Sequence, residues 1–491
     1  MTTGAQERLV EVGVVQRPAV ERVPVGAAKT FRAYDQGQVL LMAPSIQDWV
    51  PDGHLARFVS DLVDEALDLS AIYAAYEEER GFPPYDPRLM VKLLVYGYAT
   101  GTPSSRKLEE RTHIDVAVRF LCADQHPDFR PIARFRKRHL NALADLFVQA
   151  LRLCRQAGLV GLGTLALDGT KLRANASRRK AMSYGRMVKV EAQLEQEIDL
   201  IRANAEALLA DAERVDADEN ERFGADRRGD ELPDELRRRE DRLARIREAK
   251  QALEAEAAAA ETARRAEMTE QGKTPRTPPG GRDPFAPKPK AQRNFTDPDS
   301  KIMKTADGAF HQCFNGQAVV DCETQVIVAC ELSDAAPDAQ QLEPALDRLA
   351  ANLAAVDAQL PERAALVADA GYFSEHNITI TTRHGLDPHI ATGKTRHDDP
   401  APVAPRGPIP KHATPKQRMQ RKLKTKKGHA VYKQRKTIVE PVFGQLDTVQ
   451  DARQLLLRGK PAAQAQWAFT CTIHNLLKLY RNGGLARIAT G

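Results

Sequence analysis

A chain of 491 residues with 42% apolar side chains is long enough for about three cored domains. Its net charge of +6 is, by itself, weak ground for a polyanionic partner. No apolar run reaches the roughly 18 residues of a membrane span, and the first residues lack the apolar stretch of a secretion signal. The six cysteines (Cys122, Cys154, Cys313, Cys322, Cys330, Cys471) form no C-x-x-C pair. These features set aside membrane and disulfide-stapled classes and point to a cytoplasmic protein with reduced thiols.

Residues 1–30 lack sustained periodicity and are read as disordered. From 31 to 158 the pattern is helical. Leu55, Phe58, Val59, Leu62, Val63, Ala66 and Leu67 recur at helical spacing, and Asp86-Pro87 reads as an N-cap with proline at the first helical position. Ser104 is expected to cap a helix through Phe120, and one long helix is expected from Arg130 to Ala157, stopped by Gly158. Arg106, Lys107, Arg111, Arg134, Arg136, Lys137 and Arg138 would suit DNA contact, or simply decorate solvated helices, since no helix-turn-helix signature accompanies them.

Strand-like runs follow at Thr164–Leu167, Gln317–Val320, Val326–Leu332, Ala364–Ala368 and Pro388–Ala391, with helical patterns at Gln340–Ala358 and Ser374–Arg383. Asp321-Cys-Glu-Thr324 reads as a hairpin turn. This order predicts a mixed α/β sheet. Between the first two strands, 186–268 carries charged helical stretches with Leu236, Leu243, Ile246, Leu253 and Ala260 in heptad-like register, read as an inserted helical hairpin. The Pro-, Gly- and Lys-rich 269–300 reads as an extended linker. Pro461–Arg481 is expected to pack on the sheet as a helix.

Charge is distributed unevenly. From Pro400 to Val439 there is no Asp or Glu, yet twelve Lys or Arg, and Glu440 is the only glutamate after Glu375. Asp168 and Asp369 each close an apolar run. Taken singly, all three acids have structural readings: Asp168-Gly169 as a hairpin turn, Asp369 as a loop cap, and Thr437-x-x-Glu440 as a capping box. Together they are a carboxylate set suited to hard divalent cations, beside a basic stretch suited to phosphates.

With Leu167-Asp-Gly-Thr-Lys-Leu172, Asp297-Pro-Asp-Ser300, Phe314-Asn-Gly-Gln-Ala318, Asp369-Ala-Gly-Tyr372, Tyr432-Lys-Gln-Arg-Lys436, Glu440-Pro-Val-Phe-Gly444 and His474-Asn-Leu-Leu477 in order, the chain resembles the DDE transposases of bacterial insertion sequences. The resemblance runs from about Tyr34 to Arg481. It implies an RNase H-like catalytic domain at 159–185 and 301–485, after an N-terminal all-α domain and around the inserted hairpin. Asp168, Asp369 and Glu440 would be catalytic metal ligands for Mg2+, with Mn2+ as a substitute. Arg435 would grip a phosphate, Tyr432 would orient the helix or a sugar-phosphate, and Lys171 would touch the DNA strand. Arg421, Lys422, Lys424, Lys426, Lys427 and Lys436 would track the backbone of double-stranded DNA.

The implied activity is cleavage at the terminal inverted repeats of the protein's own element, then joining of the freed 3′-OH to target DNA by two-metal phosphoryl transfer. A homodimer on paired DNA ends and a place at the bacterial nucleoid go with it. No phosphate-binding glycine loop appears, so no nucleotide cofactor is implied. Two positions depart from the family pattern: four residues separate Arg435 from Glu440 instead of three, and Asp447 stands where lysine is usual. A nuclease of the same fold without strand transfer, and a catalytically inactive DNA-binding descendant, are the rival readings.

Overall fold

The computed structural model describes residues 45–76, 83–177, 180–223, 234–270, 272–275, 282–393, 406–410 and 412–489, with backbone only at 204–223, 234–236, 436 and 489. The stretch read as disordered lies outside these residues. Helices come first: α1 (Leu55–Asp61), widening into a π turn at Leu62–Ala66, then α2 (Ser70–Tyr73) and α3 (Pro87–Ala99). α3 starts as its sequence dictates, with the Asp86 carboxylate accepting from Arg88 N–H at 2.8 Å ahead of Pro87.

Two expected helices are each split. Asp115 separates α4 (Ser105–Ile114) from α5 (Val116–Leu121), because its Oδ1 caps Ala117 and Val118 while its Oδ2 holds Arg111. His139 separates α6 (Phe129–Arg138) from α7 (Leu140–Gln156). Its buried ring lies against Phe135 and Tyr76, with Nε2 3.1 Å from Tyr76 Oη, so a tertiary contact overrides a helical pattern. Gly158, at φ +66°, ends α7 in the left-handed region.

The strands are β1 (Thr164–Arg173), β2 (Ala181–Ser183), β3 (Gln292–Asn294), β4 (Lys301–Lys304), β5 (Phe310–Asp321), β6 (Ile327–Ser333), β7 (Ala365–Ala368) and β8 (Asp387–Ile390). The main sheet runs β4-β5-β1-β7-β8, with β6 also on β5. β1, β5 and β6 are antiparallel in turn, while β7 and β8 run parallel to β1. That is the mixed α/β sheet expected, in RNase H-like strand order. Asp321 closes the β5–β6 turn by accepting from Glu323 and Thr324 N–H, and its other oxygen ties down Gly161 and Leu162.

The remaining helices are α8 (Tyr184–Phe223), α9 (Asp234–Glu270), α10 (Leu342–Ala355), α11 (Glu375–Arg383), α12 (Pro415–Lys424), α13 (Lys426–Thr448), α14 (Lys460–Arg481) and α15 (Ala486–Ala489). α14 covers the open edge of β6: Asn475 bonds both backbone groups of Ile327, and Gln464 accepts from Leu332 N–H at 2.5 Å. Its Phe469 meets Tyr98 of α3 edge-on, so the apolar core continues from the N-terminal helices into the sheet. The arm of α8 and α9 has its own apolar seam, Met187, Leu194 and Ile198 against Leu243, Ile246, Ala249 and Leu253. Ala260 of the expected heptad is exposed.

The described part of 269–300 is not a free linker. β3 pairs with β2, and Asn294, Asp297 and Ser300 are buried. Asp297 and Asp299 accept from the N–H groups of Gly459 and Lys460, fastening the arm's return to the start of α14. Among the described residues no helix is long and apolar enough to cross a membrane.

Candidate active site

β1 and β7 are parallel neighbours in the register Ala166↔Val367 and Leu167↔Ala368. Asp168 and Asp369 are therefore the next pair, on strands about 4.8 Å apart. Ala166 and Val367 form an apolar cluster with Val439 of α13, so residues two further along each strand share that face. Arg435, one helical turn before Val439, is thereby aimed at the carboxylates: its Nη1 lies 2.7 Å from Asp168 Oδ2, with the two side chains 16% and 21% exposed.

The electrostatics of this corner are under tension. Burial raises the Asp168 pKa, Asp369 raises it further, and Arg435 with the Gly169 N–H opposes them. Burial also acts against the Arg435 charge, yet Asp168 and Tyr432 hold its pKa above the ordinary arginine value. The Arg435 guanidinium thus pairs with Asp168, while Asp369 on the neighbouring strand adds a second negative charge. Asp369 uses Oδ1 to cap the short turn Ala370–Tyr372 through Gly371 N–H at 2.8 Å.

Several expectations about single residues change. Asp168 does not end a strand, nor does Asp168-Gly169 turn; β1 continues to Arg173 because β5 pairs with it throughout. Lys171 accordingly sits within the strand, and its ammonium donates to the Ala336 carbonyl at 3.0 Å and to Asp338 at 3.1 Å. Thr437 starts no helix: α13 runs through it, and its hydroxyl back-bonds to the Gln434 carbonyl. The capping-box reading of Glu440 therefore falls. Glu440 is exposed on α13, beside Pro441, and among the described residues no three His, Cys, Asp or Glu side chains gather closely enough to hold a metal ion.

The basic stretch divides. Arg421 donates to the carbonyls of Arg406 and Gly407, and Lys422 to Asp387 and the Pro388 carbonyl. Lys424, Lys426 and Lys427 are exposed where α12 gives way to α13, and the Lys436 side chain lies outside the described residues. In the N-terminal helices Arg136 is buried, donating to the Pro103 carbonyl, which removes it from any surface.

Sequence reasoning missed a layer behind Asp168. Asn315 and Gln317 of β5 pair with Lys171 and Gly169, so they lie on the opposite face of the sheet. They bond to each other and to Asp338, and the buried Tyr372 hydroxyl donates to Gln317 Oε1. Two amides interrupting the otherwise apolar run Cys313–Val320 were the available signal. Gly169 has no side chain here because a Cβ would stand 2.5 Å from the Gln317 amide.

A mixed sheet of RNase H-like order with two carboxylates on adjoining strands is the architecture that the resemblance to DDE transposases implies. Residues 44–138 match the family model Transposase domain (DUF772), and residues 408–480 match Transposase DDE domain. Both matches are to transposase domains, and together they support an insertion-sequence DDE transposase. The second match spans α12, α13 and most of α14, and so Arg435 and Glu440; Asp168 and Asp369 lie outside both. No curated protein and no solved structure matches the chain.

Proposed function

We propose that the protein cleaves the ends of its own insertion sequence and joins the freed 3′-OH to target DNA, using Asp168, Asp369 and Glu440 as its catalytic carboxylates. The observation that carries this reading is the pairing of Asp168 with Asp369 on adjacent parallel strands beneath Arg435. Two carboxylates on adjoining strands, with a single guanidinium on one of them, fit a hard divalent cation, since Mg2+ takes oxygen ligands and needs only one or two carboxylates beside substrate phosphates. Glu440 does not complete the set in this structure. Pro441 lacks the N–H that would bond back to the Thr437 carbonyl, so α13 is weakest where Glu440 must swing toward the aspartates.

Mg2+, or Mn2+ in its place, would activate the attacking oxygen and stabilise the leaving one in both steps. The chain's own groups do the rest. Asp168 and Asp369 anchor that charge on a rigid sheet. Arg435 exchanges its carboxylate for a non-bridging phosphate oxygen, which a guanidinium can hold bidentately. Tyr432 keeps the guanidinium aimed. Lys424, Lys426 and Lys427 lead the DNA backbone toward Arg435, while Arg421 and Lys422 brace the loop beneath them. The N-terminal helices and the arm serve end recognition and pairing of two protomers on double-stranded DNA, in the bacterial cytoplasm.

The test is a joining assay with purified protein, terminal-repeat DNA bearing a preformed 3′-OH, target plasmid and Mg2+. Joined product is expected. Nicking of the ends without joining would favour the nuclease of the same fold, and binding without either would favour the inactive descendant.

A further inference from the structure

Asp338 lies in the loop between β6 and α10, outside every motif that marks the site. Three donors converge on its Oδ1: Asn315 Nδ2 at 2.8 Å, Lys171 Nζ at 3.1 Å and Gln317 Nε2 at 3.3 Å. Asn315 Oδ1 accepts from Gln317 Nε2 at 3.0 Å, and Gln317 Oε1 accepts from Tyr372 Oη. Among these side chains every bond runs toward Asp338, and the bonds that leave the set go from Lys171 to the Ala336 carbonyl and from Asn315 to the Ala335 carbonyl. Only a group that accepts from several directions and carries negative charge beside Lys171 satisfies that end.

The network joins the two halves of the candidate site. Lys171 is three residues beyond Asp168 on β1, and Tyr372 three beyond Asp369 on the turn after β7. Tyr372 is fully buried, and burial together with the charges of Asp338, Asp168 and Asp369 keeps its phenol protonated, hence a donor. The second oxygen of Asp338 reaches the Asp369 turn itself: a Cβ at Gly371 would lie 3.6 Å from Asp338 Oδ2 and 3.0 Å from Asp369 Oδ1. The turn that carries Asp369 is thus held against β1 from behind, through a polar layer that neither Asp168 nor Asp369 supplies.

We propose that Asp338 is a positioning residue that fixes the Asp369 turn relative to Asp168 through Lys171, Asn315, Gln317 and Tyr372. The inference rests on the reading of Asp168 and Asp369 as a shared cation site. Partners one layer behind a metal site commonly alter affinity by about 10–100-fold when removed.

The experiment is calorimetric titration of the DNA-free, full-length protein with Mn2+, alongside its thermal unfolding. Asp338→Asn is expected to weaken Mn2+ binding by about ten-fold or more, and Tyr372→Phe, which cuts the same link with a smaller change, to weaken it in the same direction. Asp369→Asn should abolish it. Wild-type Mn2+ affinity in folded Asp338→Asn or in Tyr372→Phe would overturn the proposal, even if the unfolding temperature fell. Loss as complete in Asp338→Asn as in Asp369→Asn would make Asp338 a ligand and overturn its positioning role. Unchanged binding in Asp369→Asn would instead take down the shared site itself.

Discussion

Glu440 stands in the middle of α13, where a carboxylate has no helix start to cap. Thr437→Ala, which removes only a back-bond to Gln434, is therefore expected to stay within about 0.5 kcal/mol of wild type in denaturant unfolding and to keep cleavage activity. Glu440→Gln should be equally stable and inactive. An active Glu440→Gln would remove it from the site. His474 gives a second residue-scale expectation. It is buried on α14, with Nε2–H donating to the Gln325 carbonyl at 2.9 Å, and burial lowers its pKa from 6.5 to about 4. The folded state then binds the proton less readily than the unfolded one, so stability is lost as pH falls from about 6.5 toward 4. The full linkage is on the order of 3 kcal/mol. Unfolding midpoints across that window should be steeper in wild type than in His474→Gln, and equal slopes would contradict the burial argument.

At the scale of elements, legibility followed how local the determining forces are. α3 is readable because cap, proline and apolar period agree within one segment, α14 because proline and apolar period do, and β7 because it is a continuous apolar run. Asp168-Gly169 is turn chemistry locally and predicts a β1 that stops at Leu167, while pairing with β5 over nine residues decides otherwise. His139 breaks a helix through Tyr76, which lies 63 residues away in sequence. Asp338 was invisible for the same reason: its partners come from β1 and two positions of β5. The acid-free basic run was plain in the sequence, but which lysines it leaves exposed depended on Asp387 and on carbonyls 14–15 residues before Arg421. The arm gives the element-scale test. Its seam is separate from the main core, so replacing 186–272 with a short linker should leave the rest folded, with unfolding still cooperative and Mn2+ binding retained. Met182, Tyr184, Ala291 and Phe295 lose cover, so some stability should go. Loss of all cooperative unfolding would show that the arm supports the sheet.

Across the whole molecule, one continuous core runs from the N-terminal helices through α14 to the sheet, so the site rests on a frame larger than the sheet alone. On that frame sit two carboxylates on adjoining strands, an arginine paired with one of them, and an exposed glutamate on α13, the groups on which the proposed chemistry rests. The most direct measurement is release of a 3′-OH from terminal-repeat DNA by purified wild type, Asp168→Asn and Asp369→Asn in Mg2+, with DNA binding followed in parallel. Each asparagine keeps the shape of the site and loses the charge a cation needs. Wild type should cut, and both variants should bind the ends and fail to cut. Near-wild-type cleavage by either variant would contradict the two-aspartate site on which the whole reading stands.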